Sequence, residues 1–210
     1  MKSNSTLPPA RKDSAESKGS KRERLLQAAA LLFHRQGFEH TSLADIAAKA
    51  DVPLGNVYYY YRTREDLLQA VTEDRRATMD RKRARWEDLP SPRDRLLAYV
   101  DSFAANEKEF TAHGCPAGSL CLEANKIGGE VAEHAAAVLE DSLAWLEKQF
   151  SAMGFGKRVA HENAAYLLSA RQGSVLLANT FKDPAFTRQE VTRLKQWLAD
   201  MPAETKGKAS

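Results

Sequence analysis

Residues 52–68 read VPLGNVYYYYRTREDLL, and the way this stretch is punctuated decides the fold. Pro53 has no backbone N–H and a fixed φ, so it suits the first turn of a helix rather than its interior. The spacing predicts a short helix from Pro53 to Tyr61. Its opening residues, Pro53, Leu54, Gly55 and Asn56, are mostly small. Tyr58, Tyr59 and Tyr60 follow at steps of about 100°, so they cannot share one face. One must turn inward, while the others stand where a hydroxyl can reach a phosphate. Thr63 and Asp66 then have the spacing of a capping box, and Leu67, Leu68 and Val71 open a long charged helix ending near Pro90.

Upstream, Thr41 and Ser42 offer N-caps, with Ser42 and Asp45 spaced as a second capping box. Leu43, Ile46, Ala47 and Ala50 form the apolar stripe of a helix about two turns long. Before it, Leu25, Ala28, Ala29, Leu32 and Phe33 fall on one helical face and Gly37 supplies a stop, which predicts a first helix over Ser20–Gln36. Three short helices, the last two joined by a tight turn, have the layout of a helix-turn-helix. Asn56, at the start of the third, can pair bidentately with an adenine edge, and small neighbours let that helix lie deep in a major groove.

Downstream there is no period-two pattern. Breaks at 90–92, 113–118, 128–129, 153–156 and 183–184 leave room for five more helices. The fold class is therefore all-α. The expected organisation is a basic disordered tail over 1–20, a helix-turn-helix domain over 21–67, a helical effector-binding and dimerisation domain over 68–202, and a flexible tail over 203–210. The final two helices, near Lys157–Lys182 and Thr187–Met201, carry Ala164, Leu167, Leu168, Val175, Leu176, Leu194, Trp197 and Leu198. Their apolar content fits both an internal core and the seam of a homodimer, with Leu194 and Leu198 expected at that seam.

The charge is unevenly spread. Residues 1–85 carry 17 Lys/Arg against 11 Asp/Glu, whereas the remainder carry 14 against 17. A basic front suits a phosphate backbone, although solvated helix faces give the same excess. The composition, 43% apolar and 28% charged, is that of a folded protein. No apolar run is long enough for a membrane span or shaped as a signal peptide, and two cysteines cannot build a disulfide framework, so the expected location is the cytoplasm with no membrane partner.

The segments Thr41–Ile46 and Val52–Leu68 together resemble the signature of the TetR/AcrR transcriptional regulators, over about Lys21–Val71. The resemblance implies a non-enzymatic, sequence-specific regulator: a homodimer on a palindromic double-stranded operator, most often a repressor released by a small-molecule effector, with no cofactor. By position, Thr41 and Ser42 resemble phosphate contacts, Tyr59 the aromatic that grips the backbone, and Arg64 a residue that is usually Lys and meets a phosphate. Tyr58 matches a position generally Tyr, and Tyr61 one generally Phe that packs inward. Arg62 stands in place of a frequent Pro or Gly, and Leu54 in place of a polar or basic residue. The DNA-binding set is thus Thr41, Ser42, Pro53, Leu54, Gly55, Asn56, Tyr58, Tyr59 and Arg64.

A second cluster lies at His113-Gly-Cys-Pro-Ala-Gly-Ser119, before a helix that also holds Cys121 and Glu123, and it resembles a GCPxGS segment of some family members. Zinc would need a fourth ligand such as His134 beside His113, Cys115 and Cys121, a spacing that argues against a metal. A thiol switch at Cys115, whose place before a helix N-terminus would favour the thiolate, and two apolar core fillers are the remaining readings. Cys115 with His113 or His134 as a base would make a nucleophilic enzyme, but residues two apart rarely orient that way. A ligand-independent structural DNA protein with a dry C-terminal core is the other alternative. An effector pocket, if present, belongs among helices five to eight, with Tyr99, Phe103, Cys115, Cys121, Glu123, Asn125, Tyr166 and Arg171 as candidate lining residues.

Overall fold

The computed structural model describes residues 19–202 as ten α-helices, with no strand among them. The predicted tails over 1–18 and 203–210 lie outside the described residues. The first three helices are α1 (Lys21–Gln36), α2 (Leu43–Ala50) and α3 (Leu54–Tyr60). The long α4 (Arg64–Glu87) leads to α5 (Pro92–Ala104), α6 (Glu107–His113) and α7 (Pro116–Ile127). Then come α8 (Gly129–Ala152), α9 (Lys157–Phe181) and α10 (Ala185–Asp200). None of them is long and apolar enough to cross a membrane.

Local chemistry sets the starts. Ser20 with Glu23, Ser42 with Asp45 and Thr63 with Asp66 all form reciprocal capping boxes, which satisfy otherwise orphaned N–H groups at the first turns of α1, α2 and α4. Gly37, at φ 89°, ends α1, and Asp51, at φ 54°, ends α2 in the left-handed region that short polar residues tolerate. Pro53 sits one place earlier than expected, as the residue before α3, and Tyr61 leaves the helix in extended geometry to enter the core.

One expected helix is two. The stretch between Pro92 and His113 breaks at Ala105–Asn106. There the Asn106 side chain donates to the Ser102 carbonyl at 2.8 Å, and its backbone N–H bonds to Phe103 O at 3.2 Å. A side-chain amide that competes for helix carbonyls turns the chain without a glycine or proline to announce it.

Two large apolar cores result among the described residues, beside a small cluster of Phe110, Cys115 and Val175. One joins α1 to α4, around Leu25, Phe38, Ile46, Val57, Leu67 and Leu68, and takes in Leu120, Cys121 and Ala124 of α7 with Ala135 of α8. The other joins α5, α8, α9 and α10 around Tyr99, Phe103, Phe150, Leu167, Leu194 and Leu198. Leu194 and Leu198 are fully buried within this chain, so the expectation that they form the seam between two copies is corrected: they are internal packing. Glu87 joins the end of α4 to α5 and α8, accepting from Arg95 at 2.9 Å, Trp145 Nε1 at 2.9 Å and Lys148 at 3.0 Å.

Candidate DNA-binding surface and effector pocket

α3 is held by its inward residues and presents the others. Val57 and Tyr61 are buried in the first core, whereas Leu54, Tyr58 and Tyr59 are 41%, 53% and 83% exposed. Pro53 and Gly55 are exposed too, and a Cβ added at Gly55 would meet nothing within 4 Å. Asn56 is half-buried with its side-chain amide unengaged, and Tyr60 packs edge-on against Tyr59 with ring centres 5.0 Å apart. Of the consecutive tyrosines it is therefore Tyr61 and, in part, Tyr60 that turn inward.

At the start of α2 the expected contacts divide. Ser42 is exposed, with its hydroxyl engaged in the capping box to Asp45 at 2.6 Å. Thr41 is fully buried, and its hydroxyl donates to Gly37 O at 2.7 Å. Its side chain fastens the α1–α2 turn instead of facing a phosphate, which corrects the expectation for it. Arg64 also reaches this turn. Its guanidinium lies 4.6 Å over the Phe38 ring and donates to the carbonyls of Phe38 and Thr41, each at 3.2 Å. Those carbonyls occupy Nη1, which ties the side chain to the α1–α2 turn.

The same turn is gripped from the other side. The Phe38 amide donates to Glu123 of α7. A side chain at Gly37 would press on Glu123 Oε1, the movable end of a long side chain, so it is the positive φ that calls for glycine there. Glu123 is thus a brace between α7 and the helix-turn-helix. His34 of α1 adds a second brace, with Nε2 donating to Gly114 O at 3.1 Å, just ahead of α7. Burial pushes its imidazole below the usual histidine range, which keeps it neutral.

Beneath this junction lies a cavity of roughly 220 Å³ among α1 and α4–α9. It is lined by Cys115 and Arg171 from the expected set, together with His34, Arg75, Met79, Lys82 and Glu109. Tyr99 and Phe103 are fully buried core residues behind it, and they hold Arg171 in place. Arg171 Nη1 donates to the Tyr99 hydroxyl at 3.1 Å, and the guanidinium carbon lies 5.2 Å and 4.8 Å from the two ring centres. Cys121 and the exposed Asn125 line a separate groove between α7 and α9. Tyr166 is 49% exposed on the outer face of α9, against Trp197 at 4.9 Å, away from this cavity. The residues that sequence reasoning missed, Arg75, Met79 and Lys82, sit at i, i+4 and i+7 of α4. That spacing was the available signal, hidden in a run of charges.

Both thiols have structural roles. Cys115 Sγ accepts from Gly118 N at 3.5 Å as the cap of α7, and Cys121 donates to Ala135 O at 3.1 Å. Burial, with Cys115 nearby, pushes the Cys121 thiol up to about 11. Among the described residues no group of three or more His, Cys, Asp or Glu is placed to hold a metal.

Residues 25–71 match the family described as bacterial regulatory proteins, tetR family, and residues 92–189 match the LmrA/YxaF-like transcriptional regulator C-terminal domain. The chain belongs to the TetR family of transcriptional regulators. Its curated relatives include the HTH-type transcriptional regulators YxaF, 24% identical over 170 residues covering 80% of this chain and 89% of that protein, and LmrA, 24% identical over 171 residues covering 79% and 89%, both of Bacillus subtilis. The HTH-type transcriptional repressor NemR of Escherichia coli is 31% identical over 116 residues, 53% of this chain and 54% of that protein.

Among solved structures, a TetR transcriptional regulator from Legionella pneumophila superimposes with a TM-score of 0.79 at 19% identity, covering 85% of this chain and 97% of that one. The reduced form of Escherichia coli NemR gives 0.73 at 20% identity, covering 84% and 96%. At these identities the structural likeness carries the fold. The TetR-family assignment makes the chain an all-α, DNA-binding regulator of a non-enzymatic class, so the nucleophilic reading of Cys115 falls away.

Proposed function

We propose that this TetR-family regulator is a repressor that binds a palindromic operator as a homodimer, laying one α3 in each major-groove half-site, and leaves it when a small molecule fills the α4–α9 cavity. The observation that carries the reading is the disposition of α3. A helix anchored by buried Val57 and Tyr61 displays Leu54, Gly55, Tyr58 and Tyr59 at the surface of the described residues, with half-buried Asn56 among them. Base edges are read by Asn56 and Leu54, and phosphates are met by Tyr58, Tyr59 and the exposed start of α2 at Ser42. Thr41 and Arg64 act behind them, fixing the turn that sets the angle between α2 and α3.

The second copy is seated on the outer face of α9. Tyr166, Leu176, Leu177 and Phe181 are 49%, 62%, 42% and 62% exposed, a stripe too apolar for open solvent, with small Ser169 and Gly173 between them. Selection of bound duplexes from a random pool tests the whole reading. The expected result is an inverted repeat with half-sites one helical turn apart, about 34–36 Å, or a multiple of it. A pool that converges on no sequence, or on a single unrepeated half-site, removes the proposal.

A further inference from the structure

Several cations elsewhere among the described residues are ion-paired: Arg76 with Asp141 at 2.7 Å, Arg95 with Glu87 at 2.9 Å, Arg188 with Glu107 at 2.7 Å. The cavity gathers three that are not. Arg75, Lys82 and Arg171 all line it, and among the described residues none of them has a carboxylate at ion-pairing distance. The one carboxylate in the wall, Glu109, faces α1 instead, 3.7 Å from Arg35 and 3.8 Å from His34. Arg171 Nε and Gln172 Nε2 are both buried donors without an acceptor. Stacking on Tyr99 and Phe103 fixes the guanidinium plane, so Arg171 cannot swing out to water to relieve its charge. Gathering like charges and unmet donors costs free energy that the Tyr99 hydrogen bond and the ring contacts return only in part.

We propose that the cavity is a receptor for a small organic carboxylate. Its oxygens take the open donors of Arg171 and Gln172, Lys82 and Arg75 supply the opposing charge, and the apolar body lies against Met79, Phe110, Val138 and Leu139. A planar guanidinium matches a carboxylate through two parallel bonds. At roughly 220 Å³ the space is below the ~300–1,000 Å³ of drug-sized sites, so the ligand is compact. Burial, aided by repulsion from Arg171 and Arg75, holds the Lys82 ammonium below the ordinary lysine range, a strain that a bound anion removes. The inference rests on reading this cavity as the effector site.

Calorimetric titration of the full chain with matched acid and amide pairs (benzoate and benzamide, phenylacetate and phenylacetamide, isovalerate and isovaleramide), with inorganic phosphate beside them, tests it. At least one acid is expected to bind at least tenfold tighter than its amide and tighter than phosphate. Lys82→Met, which keeps the stem and removes the charge, is expected to lose that preference while raising the Tm of the unliganded protein. Acids that bind no better than their amides, phosphate binding as well as the best acid, or a Lys82→Met variant with unchanged binding or a lower Tm would each overturn the proposal. Operator release, followed by anisotropy with the same compounds, separates the two readings. An acid that binds without releasing DNA supports this inference and sinks effector relief, whereas release by amides but not acids does the reverse.

Discussion

Asn56 and Arg64 stand eight residues apart and do different work, although both fall in the same motif. Asn56 has a free side-chain amide at the exposed end of α3, so Asn56→Ala is expected to cost ~1–3 kcal/mol of operator binding and to relax preference at one base pair per half-site. Repeating the duplex selection with the variant checks this, and an unchanged preferred sequence would mean that α3 is misplaced in the groove. Arg64 is tied to the Phe38 and Thr41 carbonyls, so Arg64→Ala is expected to lower folding stability by ~1–3 kcal/mol in urea denaturation while leaving the salt dependence of DNA binding nearly unaltered. A shallower salt slope at full stability would restore the phosphate role. Cys121, with its thiol near 11 and its S–H given to Ala135 O, is expected to stay unmodified by a thiol reagent at neutral pH until the chain unfolds.

At the scale of elements, the contact of α1 with the segment before α7 predicts a pH effect. His34 is held neutral in the folded chain by burial and titrates near 6.5 in an unfolded one, so its folded value is the lower of the two. A depressed base leaves stability intact above that pH and loses it as pH falls, because the unfolded chain then takes the proton more readily. Tm is expected to fall between about pH 7 and 5.5, and His34→Gln, which can still donate to Gly114 O, should flatten that fall; equal slopes would remove the assignment. The helices of the front third were legible because their ends are written in local chemistry, capping boxes and Gly37, that needs no distant partner. The break at Asn106 was not, since an asparagine inside an apolar pattern signals nothing until its side chain takes the Ser102 carbonyl. The cavity was half legible: Arg171 and Cys115 were identified, but Arg75 and Lys82 belong to a helix whose charges look solvated until α8 and α9 are packed beside it. Thr41, Arg64 and Glu123 have the right chemistry for ligands, and only the folded turn shows that backbone groups of residues 37–41 already occupy them.

For the whole molecule, the exposed stripe of α9 gives a sharper dimer test than the buried leucines of α10. Leu176→Glu with Leu177→Glu is expected to yield monomers in sedimentation at an unchanged Tm per chain and to weaken operator binding steeply, as half-sites then bind independently. Dimer mass retained in that double variant would place the interface elsewhere. Leu194→Glu, by contrast, should unfold the second core. The first core, meanwhile, crosses the boundary expected at 67/68: Leu120, Cys121 and Ala124 pack with Leu25, Phe38 and Leu68, and Glu123 holds the Phe38 amide. A chimera that grafts a foreign reading head onto this sensor at that boundary would leave α7 facing side chains it was never fitted to, and a residue other than glycine at position 37 would strain the turn whose amide Glu123 holds. The interchangeable cassette is the helix-turn-helix together with α7, two stretches of chain far apart in sequence, so operator specificity here is transplanted in two pieces or not at all.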